Sequence, residues 1–321
     1  MALSEFELID RFFRRPAPHA ILGVGDDAAL LAPTLGCELV ASVDMLIEGT
    51  HFLPDAEPEA LGHKTLAVNL SDIAAMGARP RWALLACALL EADPAWLASF
   101  ARGFLALADA YGVELVGGDT TRGQLALCVT ILGEAPSGRA LRRSGARAGD
   151  AIYVSGRLGD AALAVAHHAG RVVLTPAERA YCELALTRPT PRIALGERLR
   201  GLATAAIDVS DGLTGDLGHI LDASRVGATV DLSLLPRSPA FDSRLPGAER
   251  ALALDCLLAG GDDYELLFTA LPSADAALAG LARETGVPVT RIGRIEAGQG
   301  VRVLDASGRV LDVAVRGYEH F

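Results

Sequence analysis

The chain has 321 residues, of which 51% are hydrophobic, and a formal net charge of −11 at neutral pH. These values predict a soluble globular protein of two domains, and the acidic balance excludes a general surface for nucleic acid or anionic membranes. No run of about 20 uncharged apolar residues offers a membrane span, and the acidic start argues against a signal peptide, so we expect a cytoplasmic protein.

The first half alternates between short apolar strands and longer helices. One helix repeats Leu66, Leu70 and Ile73 at helical spacing and stops before Gly77. A second helix begins at an Asp93 cap. The predicted strands are 20–23, 39–43, 113–116 and 126–132, the predicted helices are 58–76 and 94–111, and residues 117–123 are expected to form a loop.

The second half continues this pattern after a segment rich in Arg, Gly and Ser, where the apolar periodicity stops. Such a segment is typical of a domain junction. We therefore predict an α+β or mixed α/β fold with an N-terminal domain at 1–136, a junction at 137–150 and a C-terminal domain at 151–321. The predicted strands of the second half are 151–155, 203–209 and 265–269, and the predicted helices are 161–169, 176–186, 191–202, 213–221 and 274–285.

Aspartates recur on glycine-rich turns and strand ends. A single such aspartate is ordinary turn chemistry. Several that follow buried strands cannot all point to bulk water, and two carboxylates ~4 Å apart repel by about 4 kcal/mol at an effective dielectric constant of 20. Converging acids therefore require a cation. The six sites are 25–27, 42–44, 69–72, 118–119, 208–212 and 260–263.

The ligand types indicate which cation this is. Hard oxygen ligands with few His or Cys nearby favour Mg²⁺ or Ca²⁺, and no EF-hand loop is present. Mg²⁺ commonly shares its ligands with substrate phosphates, which glycine-rich turns and the helix start after Gly212 could also contact. Arg122, Arg142 and Arg143 are candidates for holding phosphate from another side. The sequence thus predicts a magnesium and phosphate site.

Other common sites do not fit the sequence. Lys64 is the only lysine, and its surroundings lack the upstream glycine of a P-loop. Residues 23–28 match a dinucleotide-binding fingerprint, but Asp26 and Asp27 would repel the pyrophosphate. The five cysteines are scattered, so we expect neither disulfides nor a zinc site and assign all five to the core.

Taken in order, these motifs resemble those of the bacterial thiamine-monophosphate kinase family, within the aminoimidazole ribonucleotide synthetase-like ATP-binding superfamily. The resemblance covers nearly the whole chain. The motifs that carry it lie at 23–27, 49–52, 67–72, 117–123, 143–146, 208–213, 260–266 and 317–321.

The resemblance implies an N-terminal metal- and ATP-binding domain that forms a β-barrel shared in a homodimer, and a C-terminal domain that completes the ATP and substrate site. It also implies transfer of the γ-phosphoryl group of ATP to thiamine monophosphate with several Mg²⁺ ions, the last step of thiamine diphosphate biosynthesis. No catalytic side chain is implied, because the acceptor phosphate oxygen is already anionic.

The resemblance also assigns residues by position. Val43 stands where the family has a hydroxyl residue, so its contact with metal would use the backbone carbonyl. The implied metal ligands are Asp27, Ser42, Val43, Asp44, Asp72, Asp119, Asp208 and Asp211; the ATP contacts are Gly118, Asp119, Arg143 and Ser210; the substrate contacts are His51, Asp263 and Tyr318.

Three alternatives stay open. A purine-biosynthesis synthetase of the same superfamily is the nearest enzymatic rival. A nucleotide-binding scaffold without catalysis would lack metal ligands, whereas all of the aspartates are present here. A metal-dependent phosphohydrolase would turn over ATP without an acceptor.

Overall fold

Each half of the sequence builds its own mixed β-sheet with helices packed on it. A computed structural model describes residues 5–312 and residue 317. The chain divides into a first unit, Met1–Ile73 with Ala78–Gly138, and a second unit, Ala74–Gly77 with Arg139–Phe321. This mixed α/β architecture of two units confirms the predicted fold class. None of the helices described is both long and apolar enough to cross a membrane.

The first unit contains a four-stranded sheet in the order β3-β6-β4-β5, beside a small β1–β2 pair. Only β4 and β5 pair in parallel within the larger sheet. Its elements are α1 (Glu5–Phe12), β1 (Ala20–Leu22), β2 (Leu30–Leu31), β3 (Cys37–Ile47), α2 (Pro58–Ala75), β4 (Arg79–Leu89), α3 (Pro94–Tyr111), β5 (Glu114–Arg122) and β6 (Ala126–Pro136). The four strands form an open sheet with β3 and β5 at its edges, so this part of the chain does not close a barrel by itself.

Helices α2 and α3 cross in close contact because each has a glycine at the crossing. A Cβ atom on Gly62 would lie 2.1 Å from the carbonyl oxygen of Phe100, and one on Gly103 would lie 1.9 Å from that of Glu59. Real Cβ atoms do not approach this closely, so the crossing depends on both glycines. It fixes the position of α2, which carries Asn69 among its fully buried residues.

The prediction of a loop at 117–123 is wrong for residues 117–122. Strand β5 continues through it to Arg122, and residues 117–122 pair with β4. The sequence suggested a loop because glycine and aspartate disfavour isolated strands. Tertiary pairing overrides that local preference here.

The second unit is built on a six-stranded sheet in the order β12-β9-β11-β7-β10-β8. All neighbouring strands are antiparallel except β12 and β9. Its elements are β7 (Ala151–Ser155), α4 (Asp160–His168), α5 (Pro176–Thr187), α6 (Ile193–Leu199), β8 (Ala203–Val209), α7 (Leu213–Ser224), β9 (Gly227–Asp231), α8 (Arg250–Leu258), β10 (Glu265–Ala270), α9 (Asp275–Thr285), β11 (Val289–Glu296) and β12 (Gly300–Leu304).

A partly buried ion pair fixes helix α5 in this unit. The Arg244 guanidinium donates to Glu178 at 2.6 Å and also to the carbonyl oxygens of Ala240 and Val173. Glu178 in turn accepts from the backbone and hydroxyl of Thr175, which completes a capping box at the start of α5. These donors, Arg244 above all, lower the pKa of Glu178 from 4.5 to about 2.

The lowered pKa gives a pH-dependent contribution to stability. Because the pKa of Glu178 in the folded protein lies below its value in the unfolded chain, this contribution is complete above about pH 5 and is lost as the pH falls toward 2. We predict that Glu178→Gln lowers the free energy of unfolding by about 2 kcal/mol at pH 7, and that the difference from wild type shrinks at pH 3. Urea denaturation of both proteins at pH 7 and pH 3 measures this difference in the free energy of unfolding.

Glu183→Gln is the matched control, since Glu183 lies on the same helix in a more exposed contact with Arg179 and His168. Its effect should stay within about 0.5 kcal/mol at either pH. An equal loss of stability for Glu178→Gln at pH 7 and pH 3 would contradict the proposed ionic origin.

Candidate functional site

Two of the predicted metal ligands meet between strand β3 and helix α2. The hydroxyl of Ser42 donates to the carboxylate of Asp72 at 2.5 Å. One turn earlier on α2, the side-chain oxygen of Asn69 accepts from the backbone N–H of Asp44 at 3.2 Å. Asn69 was not among the predicted ligands, although it lies three residues before Asp72 on the same helical stripe. It locks the backbone on which Ser42 and Asp44 lie.

The Gly118-Asp119 pair lies on the opposite edge of the same sheet. The strand register places Asp44, Val129, Leu85 and Gly118 in one row across β3, β6, β4 and β5. Three strand spacings separate the ends of this row, which corresponds to about 14 Å in a flat sheet. Asp44 and Asp119 therefore lie well apart within one chain.

Gly118 is required by the packing of the strands. Its φ is +152°, and a Cβ atom there would lie 1.8 Å from the carbonyl oxygen of Leu85. The absent side chain therefore lets β5 approach β4 next to Asp119. The sequence had suggested instead that this glycine makes room for phosphate.

His51 lies in the turn that follows β3, where backbone contacts hold it. Its Nδ1 accepts from the N–H of Ile47 at 3.0 Å, and its carbonyl oxygen accepts from the ammonium of Lys64 at 3.4 Å. An accepting Nδ1 requires that the neutral ring carry its proton on Nε2. Lys64 is buried on α2, and its role in positioning His51 could not be predicted from sequence spacing.

Asp27 is exposed on the turn after β1. Its backbone N–H donates to the carboxylate of Asp26 at 2.9 Å, a local turn contact. Within the described residues, its side chain makes no hydrogen bond with another predicted ligand.

In the second unit, the loop from Ser210 to Gly212, which follows Asp208 and the end of β8, is held by a carboxylate that was not among the predicted ligands. Asp216, in the first turn of α7, accepts from the backbone N–H groups of Ser210, Asp211 and Gly212, each at 3.1 Å. Its burial, opposed by these N–H donors and reinforced by the charge of Asp211, raises the pKa of Asp216 to about 7.

Asp263 belongs to a second loop that packs against the first. The backbone of Asp262 donates to Ser210 and that of Tyr264 donates to Val209. Asp262 and Tyr264 both have positive φ, at 69° and 50°, which is a strained geometry for residues with side chains. Such strain is common at functional sites.

The carboxylate of Asp263 lies at the start of helix α4. Both of its oxygens accept from the N–H of Gly159, at 2.9 and 3.0 Å. Burial raises the pKa of Asp263 well above its ordinary value; the Gly159 bond opposes this, while Glu265 and Asp160 add to it. Asp263 thus stabilises the loop geometry whether or not it contacts a ligand.

Arg143 is exposed on a segment that the far end of α7 anchors. Ser224 receives hydrogen bonds from the N–H groups of Gly145 and Ala146, and its hydroxyl donates to the carbonyl oxygen of Arg143. Asp211 precedes the other end of this 12-residue helix. The helix is about 18 Å long, and this length separates the backbone near Ser224, which holds Arg143, from the backbone near Asp211. The backbone of Arg143 and that of Asp211 thus lie near opposite ends of α7.

Tyr318 lies outside the described residues. The cysteines carry no site: Cys87, Cys182 and Cys256 are buried, and burial raises the pKa of each of these thiols to about 12. The assignment of all five to the core is wrong for Cys37 and Cys128, which are partly exposed.

The donor chemistry of the site fits Mg²⁺ in type, because carboxylate and hydroxyl oxygens supply it. Among the residues that the structure describes, no three His, Cys, Asp or Glu side chains are grouped closely enough to hold a metal ion. An ion bound here would take its remaining ligands from water and from the phosphates of a bound molecule, as Mg²⁺ commonly does.

Comparison with known proteins identifies relatives over the full length. The N-terminal domain of AIR synthase related proteins matches residues 25–135, and the C-terminal domain matches residues 147–306. A thiamine-monophosphate kinase from Escherichia coli K12 is 46% identical over 325 aligned residues, which cover 100% of this chain and 99% of that protein.

Two solved structures agree with this. The thiamine-monophosphate kinase from Stenotrophomonas maltophilia K279a is 49% identical, with a TM-score of 0.85 and coverage of 97% of this chain and 99% of that one. AaThiL, solved as a complex with AMPPCP and TMP, is 30% identical, with a TM-score of 0.77 and coverage of 100% and 99%.

A substitution at Gly118 tests whether its close approach to β4 holds the part of β5 that carries Asp119. We predict that Gly118→Ala costs more than about 3 kcal/mol of stability, or prevents soluble expression, because the new Cβ collides with backbone and the φ is unfavourable. Gly123→Ala is the matched control at the end of the same strand, where the nearest atom would be 3.5 Å away. Thermal melting of both variants measures the effect, and equal melting temperatures would show that β5 can relax.

Proposed function

The chain belongs to the thiamine-monophosphate kinase family of AIR synthase related proteins, and from this premise we infer that it carries out the reaction of that family. It transfers the γ-phosphoryl group of ATP to thiamine monophosphate and forms thiamine diphosphate. The observation that carries this conclusion is 46% identity to a thiamine-monophosphate kinase across the whole of both chains. Because ATP is supplied in the cytoplasm, we place the reaction there.

The residues present suit this chemistry without a general base. The acceptor is a phosphate oxygen that is already anionic, so the protein has to align the two substrates and neutralise charge. The chain supplies carboxylates on rigid backbone: Asp72 bonded to Ser42, Asp44 locked by Asn69, and Asp211 in the loop that Asp216 holds. No side chain is proposed to form a covalent intermediate.

We propose that several Mg²⁺ ions bind to Asp27, Ser42, Val43, Asp44, Asp72, Asp119, Asp208 and Asp211. When bound, these ions neutralise the phosphate charges and polarise the transferred group. Metal–oxygen distances are about 2.1 Å for Mg²⁺, so residues as far apart as Asp44 and Asp119 within one chain need different ions. Val43 would contribute its backbone carbonyl, since its side chain has no oxygen.

For ATP we propose contacts with Gly118, Asp119, Ser210 and Arg143. Gly118 would act through its backbone, because its Cβ side faces Leu85. The backbone of Arg143 and that of Ser210 lie near opposite ends of α7, and this separation suits a nucleotide bound in an extended form. The N–H of Ser210 already donates to Asp216, so this residue would use its hydroxyl.

For thiamine monophosphate we propose contacts with His51, Asp263 and Tyr318. The Nε2–H of His51 is a donor suited to phosphate oxygens. The raised pKa of Asp263 means that ionisation is unfavourable without a cation nearby, and the thiazolium ring of the substrate is such a cation. Tyr318 would stack on that ring.

We further propose that the N-terminal unit forms a homodimer through the uncovered face and edge of its sheet. On β3, Val43 is 59% exposed and Met45 is 53% exposed, while the alternate residues Val40 and Leu46 are buried. Long exposed edge strands with apolar side chains invite pairing with another chain. If edge β3 met edge β5 of a second copy, Asp44 of one copy would lie beside Asp119 of the other.

The first experiment tests the reaction. We expect purified protein with ATP, Mg²⁺ and thiamine monophosphate to produce thiamine diphosphate and ADP in equal amounts, measured by chromatography. Turnover with the substrate of the purine-biosynthesis synthetases instead, or ADP release without an acceptor, would favour the rival enzymes. Nucleotide binding without turnover would identify an inactive scaffold.

The metal assignment has its own test. Asp72→Asn should lower kcat on the order of 100-fold, because it removes a charge that holds the metal at the site of transfer. Asp242→Asn, at an exposed position, should leave kcat unchanged. An active Asp72→Asn variant would rule Asp72 out as a required ligand.

The dimer is tested by light scattering after gel filtration. We expect the wild type to be a dimer and Met45→Lys to be a monomer, because a lysine would place a charge in the apolar contact. Leu35→Lys is the control, since Leu35 is 99% exposed in a turn and should not change the mass. A Met45→Lys variant that stays dimeric would place the interface elsewhere.

A further inference from the structure

The structure assigns Asp216 as a positioning residue for the phosphoryl transfer: its carboxylate holds the Ser210–Gly212 loop in the conformation that presents Ser210 and Asp211 to Mg²⁺ and ATP. The assignment rests on the proposed function of these two residues. Asp216 itself is not proposed to touch substrate, nucleotide or metal.

The hydrogen bonds of Asp216 define the path of this loop. One oxygen of Asp216 accepts three successive backbone N–H groups, from Ser210, Asp211 and Gly212, each at 3.1 Å. Three bonds from consecutive residues to a single atom fix the path of the loop. Asp216 is 2% exposed, so no water of the bulk solvent can easily replace it in this role.

These bonds also determine which groups of the loop remain available to a ligand. Exposed N–H groups at the start of a helix are an ordinary site for phosphate, and the sequence suggested that use here. In the structure the three N–H groups already donate to a carboxylate of the same chain. The loop therefore offers oxygen ligands for a cation and withholds its N–H groups from an anion.

Packing and backbone hydrogen bonds constrain the other side of the loop. Gly212 has a φ of +117°, and a Cβ atom there would lie 2.6 Å from the backbone of Ala259. The loop also bonds to the Asp262–Tyr264 segment through the carbonyl oxygens of Ser210 and Val209. These contacts fix the outer side of the loop, and Asp216 fixes the inner side by neutralising its N–H dipoles.

The test compares Asp216→Ala, which removes the acceptor, with Asp216→Asn, which keeps one acceptor oxygen and loses the charge. We expect the amides of residues 210–212 to exchange with deuterium at least about tenfold faster in Asp216→Ala, measured by mass spectrometry of the full chain. The Mg²⁺ concentration for half-maximal rate should rise at least about fivefold, with a lower kcat. The KM for thiamine monophosphate should stay within about twofold, since the bonds to the 262–264 segment remain.

Asp216→Asn should lie between wild type and Asp216→Ala in both deuterium exchange and Mg²⁺ dependence. If Asp216→Ala does not fold, the comparison is made with Asp216→Asn alone. Two controls lie on the same helix. Asp222→Ala changes an exposed aspartate and should behave as wild type. Ile220→Val removes one fully buried methylene and should lower the melting temperature without changing the Mg²⁺ requirement, which separates positioning from general stability.

Unchanged exchange at residues 210–212 would overturn the assignment, and so would faster exchange with a wild-type Mg²⁺ dependence. Failure of the proposed function looks different: wild-type protein would then make no thiamine diphosphate. Calorimetric titration of Mg²⁺ in the presence of AMPPCP gives a readout independent of turnover: Asp216→Ala should bind the ion at least about fivefold more weakly than wild type, and Asp216→Asn should lie between the two.

Discussion

Hydrogen bonds that hold carboxylates in place are the interaction on which the proposed site depends. A carboxylate that is to bind a cation must keep its position before the cation arrives. In this chain Ser42 donates to Asp72, three N–H groups donate to Asp216, and the N–H of Gly159 donates to Asp263. Each donor belongs to regular structure or to a short turn beside it. Regular secondary structure therefore fixes the positions of these carboxylates.

Glycine contributes to this arrangement mainly by allowing backbone segments to touch. Gly118 lets β5 lie against β4, Gly62 and Gly103 let α2 cross α3, and Gly212 lets the Ser210–Gly212 loop lie against Ala259. In each case a side chain would collide with backbone, which cannot move aside as a flexible side chain can. The glycines that resemble ligand-binding turns in the sequence are thus explained first by packing. Contact with phosphate, where it occurs, uses positions that packing has already fixed.

The acids of the second unit differ in the roles that we propose for them. The carboxylate of Asp216 holds the loop that contains Asp211, a proposed metal ligand. Asp263 holds the start of α4 and is also proposed to meet the cationic ring of the substrate; its raised pKa favours the neutral acid, and a cation nearby would shift it toward the ionised form. Asp216 is thus assigned to the backbone alone, whereas Asp263 is proposed to serve both the backbone and the substrate.

The sequence alone determined the family, the alternation of strands and helices, and the oxygen-rich chemistry of the site, because motif order, hydrophobic period and residue type are local properties. It predicted the helix that became α2 and the strand 203–209 correctly, but it read residues 117–123 as a loop. Only the tertiary structure decided that these residues continue β5 and that Asp44 and Asp119 lie on opposite edges of one sheet. It also decided that Asn69, Lys64 and Asp216 hold the backbone beside the predicted site residues. Strand pairing and hydrogen bonds between distant segments set these features, and such contacts have no periodic signature in the sequence.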